Sequence, residues 1–138
     1  MANSLDIQIA EEGPRNAVVK LTGVLDTSNI SETPAIALAD FQNNDPANLV
    51  LVGLRMDMLE YSIGQGLEVQ LAWNSGTPQQ IFPLAGRGRI FAWSYGGFIP
   101  DQTLTGYDGS INLYTTGYVP NTVQNFTIVM ELIKLYRF

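Results

Sequence analysis

Apolar and polar side chains alternate with a period of two along most of this chain, and turn residues break the alternation about every ten positions. That period suits a strand with one buried face and cannot be laid on one face of a helix. Leu5, Ile7 and Ile9 alternate with Asp6 and Gln8 before Gly13-Pro14. Ala17, Val19 and Leu21 alternate with Val18, Lys20 and Thr22, ending at Gly23. Leu67, Val69, Leu71 and Trp73 form the cleanest stripe, closed by Asn74-Ser75-Gly76-Thr77-Pro78. Ile81, Phe82 and Leu84 make a shorter strand whose Pro83 points to an edge or a bulge. Ile90 to Tyr95 reads as an aromatic-rich strand ending at Gly96-Gly97, and Ile111, Leu113 and Thr115 follow the Tyr107-Asp108-Gly109 turn.

Three stretches need more than alternation. Leu49 to Leu54 reads as a buried strand that runs on to Tyr61. Ser31 to Asn48 reads as an extended connection with a single helical turn near Thr33-Pro34, followed by a turn at Asn43-Asn44-Asp45-Pro46. Phe126 to Tyr136 is apolar on both sides: Phe126, Ile128, Met130 and Leu132 on one, Val129, Ile133 and Leu135 on the other. Such a strand belongs in the middle of a sheet, or has one face covered by a partner. About eight strands with short turns predict an all-β fold, an antiparallel β-sandwich of jelly-roll type. The whole chain, residues 1–138, reads as one domain, with 1–15 free to act as an N-terminal arm.

Composition narrows the chemistry. The chain has no His and no Cys, which removes Ser-His-Asp and Cys-His catalysis, thiolate metal sites and disulfides. No catalytic, cofactor-binding or metal-binding residue is assigned, and no cofactor is expected. Thirteen acidic residues against seven basic ones leave a net charge of −6, so no nucleic-acid partner is expected. No apolar run reaches the ~18 residues of a membrane helix, and no membrane partner is expected. Met1 to Ala10 has no basic region and contains Asp6, so no signal peptide is expected. Only 14% of residues are charged, against about 25% in an average soluble chain. Uncharged polar groups or a partner must then cover much of the surface.

Candidate sites follow from residue type. Gly86-Arg87-Gly88-Arg89 reads as a glycine-flanked loop whose two arginines pair with an acidic neighbouring subunit, bind an anion, or simply face water. The aromatic residues Phe82, Phe91, Trp93, Tyr95, Phe98, Tyr107, Tyr114 and Tyr118 read as core and interface anchors, or as stacking platforms for sugars. Asp57 and Glu60, three apart in a strand, should point to opposite faces and so cannot form a catalytic pair. Asp101 and Asp108 are the carboxylates through which calcium would bind, but no EF-hand spacing surrounds them. Asn125-Phe126-Thr127 fits the glycosylation pattern, which carries no weight without a secretory signal.

Leu67 to Tyr95 read LEVQLAWNSGTPQQIFPLAGRGRIFAWSY, Tyr114 to Lys134 read YTTGYVPNTVQNFTIVMELIK, and Val18 to Ile30 read VVKLTGVLDTSNI. Together these resemble virion structural proteins of tailed bacteriophages, of the head decoration or cement type. The resemblance implies a β-rich, jelly-roll-like protein made in the host cytoplasm and carried on the capsid surface of the virion. It implies binding to the major capsid protein and to itself, as a homodimer or homotrimer, and stabilisation of the shell without enzymatic activity. Arg87, Arg89, Trp93, Tyr95, Phe98 and Tyr118 are the expected protein-interface residues. A phage tail or spike component and a carbohydrate-binding β-sandwich module are the alternatives, and weak glycan binding is compatible with the decoration role.

Overall fold

A computed structural model describes residues 3–41 and 50–137. Nine strands follow one another among these residues: β1 (Ser4–Glu12), β2 (Asn16–Leu25), β3 (Thr33–Ile36), β4 (Val50–Ile63), β5 (Glu68–Trp73), β6 (Gln79–Leu84), β7 (Arg87–Phe91), β8 (Ile111–Thr116) and β9 (Gln124–Arg137). They form two antiparallel sheets, one ordered β1-β2-β9-β4-β7 and the other β3-β8-β5-β6. The partners β2–β9, β3–β8, β4–β7 and β5–β6 are those of one long hairpin rolled over itself. This is the jelly-roll arrangement, with β1 added as an extra edge strand.

Alternation does the packing. The inner face of β2 is Ala17, Val19, Leu21 and Leu25, that of β9 is Phe126, Ile128, Met130 and Leu132, and that of β4 is Leu54, Met56, Leu59 and Ile63. Val69, Leu71 and Trp73 of β5 and Ile111 and Leu113 of β8 meet them from the other sheet, and none of these side chains is appreciably exposed. Each Val, Leu, Ile, Phe and Met among them contributes roughly 1.5–3 kcal/mol of hydrophobic burial. β9 is the middle strand of five, as its two apolar faces require, and its second face lies on the outside of that sheet. Lys134 extends the inward row of β9. Its side chain is fully buried and Nζ donates to Oε2 of Glu12 at 2.7 Å, above the ring of Phe41.

Several local expectations are corrected. The tight turn lies at Ala85-Gly86, where Gly86 takes φ +71°, and Arg87, Gly88 and Arg89 are already in strand β7. That strand stops at Phe91, and Ala92–Tyr95 forms a 3-10 turn where a strand was expected. The stretch after Ser31 contains a short strand, β3, followed by a 3-10 turn over Leu38–Asp40. The Asn43-Asn44-Asp45-Pro46 turn lies outside the described residues. Residues 4–12, free in sequence to form an arm, pair along the length of β2. No helix among the described residues is long and apolar enough to cross a membrane.

Candidate docking strip on the edge strand

The outer face of the five-stranded sheet is built by a bulge. The pairing of β4 with β9 slips between Met56 and Met58, so Asp57 is the extra residue. Before the slip Leu54 and Met56 face inward, and after it Leu59 does. Arg55, Asp57 and Glu60 therefore share the outer face, which corrects the expectation that Asp57 and Glu60 oppose each other. Arg55 grips Asp57 with two hydrogen bonds, Nε to Oδ1 at 2.7 Å and Nη2 to Oδ2 at 3.1 Å. Donating to the Asp57 carboxylate holds the Arg55 guanidinium even more firmly protonated than usual.

That ion pair seats the turn that ends β7. Ala92 is buried and fixes the turn, Ser94 Oγ donates to the Phe91 carbonyl, and Gly96 and Gly97 both take left-handed φ. A Cβ on Gly97 would come within 2.7 Å of Asp57 Oδ1 and 2.8 Å of Arg55 Cδ, so only glycine fits. Beyond the turn, Phe98 exchanges backbone hydrogen bonds with Met56 at 2.8 and 3.0 Å and prolongs the sheet where β7 has stopped.

The result is a connected strip. On β7 the period of two sets Arg87, Arg89 and Phe91 on the outer face. Arg89 Nη2 donates to Glu60 Oε2 at 2.8 Å, across the β4–β7 pair. The Arg89 guanidinium lies 5.7 Å from the centre of the Phe91 ring, and Trp93 meets Phe91 edge-on at 5.9 Å. Met58 is the cross-strand neighbour of Phe91. Phe91 and Trp93 are 46% and 60% exposed. At the Arg89 end of the strip a shallow hollow of about 500 Å³ is lined by Glu60, Tyr61, Ser62, Arg87, Gly88 and Arg89.

Of the expected interface residues, Arg87, Arg89 and Trp93 come together here. The side chain of Tyr95 lies outside the described part of the structure. Phe98 and Tyr118 are engaged within the domain. Phe98 packs on the core with its ring 6.0 Å from that of Phe82. Tyr118 packs on the core and its hydroxyl donates to the Thr122 carbonyl at 2.9 Å. Glu60 and Met58 were not assigned to an interface by sequence reasoning, and Phe91 was grouped with the other aromatics but not with Arg87 and Arg89. The signal for Phe91 was its even spacing from Arg87 and Arg89, legible once all three stand on one strand.

The remaining carboxylates serve their own loops. Asp101 Oδ1 accepts from the Thr103 hydroxyl at 2.6 Å and from its N–H at 3.0 Å, which holds the carboxyl below its ordinary range. Burial pushes Asp108 up, but hydrogen bonds from Ser110 and Asn74 outweigh it and leave the carboxyl below its ordinary range. No three of His, Cys, Asp and Glu among the described residues are placed to hold a metal ion. The outer face of the other sheet differs in character, carrying a polar network of Glu68, Gln70, Gln80 and Tyr114. Comparison with protein-family models, with curated proteins and with solved structures gives no match.

Proposed function

We propose that this chain works by binding, as a non-enzymatic virion structural protein of the decoration type, holding the outer surface of a shell of major capsid protein. The observation that carries the reading is the Arg89–Phe91–Trp93 strip. Two large aromatic side chains stand out, one at the end of an edge strand and one in the turn that follows it, braced by an arginine that is itself braced by Glu60. Exposed aromatic and arginine side chains in contact are the usual anchors of a protein interface. A domain that binds only the assembled shell stabilises it by mass action, with no chemistry of its own.

The test uses particles stripped of the protein and heated with and without it. Wild-type protein is expected to raise the temperature of DNA release, and a Trp93→Ala/Arg89→Glu variant to leave it where bare particles have it. Both side chains are more than half exposed, so Trp93→Ala should cost about 0.5 kcal/mol and Arg89→Glu, which sets a like charge opposite Glu60, about 1 kcal/mol, leaving the variant folded. Equal release temperatures for bare and wild-type-decorated particles would refute the cementing role. A cryo-EM map with every copy on a tail axis would transfer the strip to a tail or spike role. One observation favours glycan binding as a second reading: the hollow at the Arg89 end of the strip is lined by Arg87, Arg89, Glu60 and Ser62, groups that hydrogen-bond sugar hydroxyls. Glycan-array binding that vanishes with Trp93→Ala would support it.

A further inference from the structure

The four sheet edges are not alike. In the four-stranded sheet, β3 carries Pro34 and β6 carries Pro83, each lacking the N–H that a further strand would use. In the five-stranded sheet, β7 is only five residues long and holds two arginines. β1 is nine residues long, contains no proline or lysine, and among the described residues pairs on one side alone. It is regular from Ser4 to Ile9, with a bulge only beyond that point. Both ends are pinned. Asn3 Oδ1 accepts from the Asp26 and Thr27 N–H groups at 3.0 and 3.1 Å, and Glu12 accepts from buried Lys134. The edge is thus held extended before anything meets it, which lowers the entropic cost of pairing.

We infer that β1 pairs antiparallel with β1 of a second copy of this chain, about a two-fold axis at Ile7, to make one ten-stranded sheet. Side-chain parity and charge select the register. Residues opposite each other across an antiparallel pair must point to the same face, so the two numbers must sum to an even value. A sum of ten pairs only the first three residues of β1, a sum of twelve sets Asp6 against Asp6, a like-charge pair, and a sum of sixteen sets inward Leu5 against Glu11 beyond the bulge. A sum of fourteen sets Leu5 against Ile9 and Ile7 against Ile7 on the inner face, and Asp6 against Gln8 on the outer. Leu5, Ile7 and Ile9 face inward where the short β3 leaves them partly uncovered, with Ile7 still 38% exposed. In this register the partner's Ile9 stands opposite Leu5, beside a hollow of about 360 Å³ between β1 and β3 lined by Leu5, Ile30 and Pro34. Pairing at β1 leaves the β7 strips at the two far edges. Nine strand spacings of ~4.8 Å place them roughly 40 Å apart, which makes the dimer a two-handed clamp. A strand pair alone is smaller than the ~1,200 Å² of a stable interface, so the dimer should be concentration-dependent in solution.

Sedimentation velocity over a range of concentrations tests self-association, and cysteine pairs test the register. The chain has no cysteine of its own. Ile7→Cys should cross-link to itself, because cross-strand Cβ atoms at ~4.5–5.5 Å are near disulfide reach. Asp6→Cys should cross-link to Gln8→Cys in a mixture, and neither to itself. Ile7→Lys and Ile7→Glu should each weaken self-association about a hundredfold alone and restore it when mixed. The Asp6 and Gln8 variants change outward side chains and keep the test valid if a charge at Ile7 disturbs folding. A chain that stays monomeric without Ile7→Cys cross-links, or an oligomer indifferent to both charged variants, would overturn the inference. The Trp93→Ala/Arg89→Glu variant should still dimerise, which separates failure of this interface from failure of the docking strip.

Discussion

Gly23 is the position at which the structure makes its sharpest demand. It lies in the inward row of β2, directly opposite Phe126 of β9, whose ring is 1% exposed. A Cβ on Gly23 would overlap Cζ and Cε1 of that ring. Alanine is ordinarily better than glycine within a strand, by roughly 0.5–1 kcal/mol. Here it overpacks the core, which costs about 1–3 kcal/mol. The net expectation for Gly23→Ala is a loss of about 1–1.5 kcal/mol. Phe126→Ala, which empties a buried aromatic site, should cost about 3–5 kcal/mol. In the double variant the overlap is gone and alanine keeps its backbone advantage, so the two losses should fall short of additive by about 2 kcal/mol. Urea denaturation followed by far-ultraviolet circular dichroism measures this. With a slope of about 2 kcal/mol/M, Gly23→Ala should lower the midpoint by about 0.6 M. A Gly23→Ala protein as stable as wild type, or an additive cycle, would show that the ring does not lie over Gly23.

Two further predictions concern charge. Glu12→Gln removes a carboxylate from a lysine whose side chain is wholly buried and should cost about 3 kcal/mol. Glu12→Leu with Lys134→Met should recover most of that loss in the same denaturation experiment, because two apolar side chains escape the desolvation that the ion pair must offset. The Tyr107 hydroxyl donates to the Val52 carbonyl at 3.1 Å, and burial, reinforced by the negative charge of Asp108, raises its pKa. The folded state thus favours the neutral phenol. Its contribution is complete below the ordinary tyrosine value of about 10 and is lost as the pH rises through the higher folded value. Stability measured against pH should fall in that alkaline window for wild type and fall less for Tyr107→Phe.

Alternation alone determined that the chain is built of strands with one buried face. A period of two sets Val19 and Leu21, Val69 and Leu71, and Ile128 and Met130 each on one side of their strand. The doubly apolar β9 likewise announced its central place. The absence of His and Cys by itself bounds the chemistry. Pairing and register were decided only in three dimensions. One extra residue at Asp57 reverses the parity of β4 and brings Asp57 and Glu60 to one face, a slip that depends on the partner strand β9 and leaves no local mark in sequence. Arg87 and Arg89 read as a loop because glycines flank them. They are strand residues because Tyr61 lies across Gly88, where a side chain would collide with the phenol, and β4 supplies the backbone partners. Lys134 is a charged residue in the inward row of an apolar strand, acceptable there because β1 brings Glu12 to it. Local side-chain pattern is a property of a strand by itself, whereas exposure is a property of what the strand lies beside. The sequence therefore specified which faces exist, and the tertiary pairing decided that Phe91 and Trp93 face outward while Phe98 and Tyr118 pack against the core.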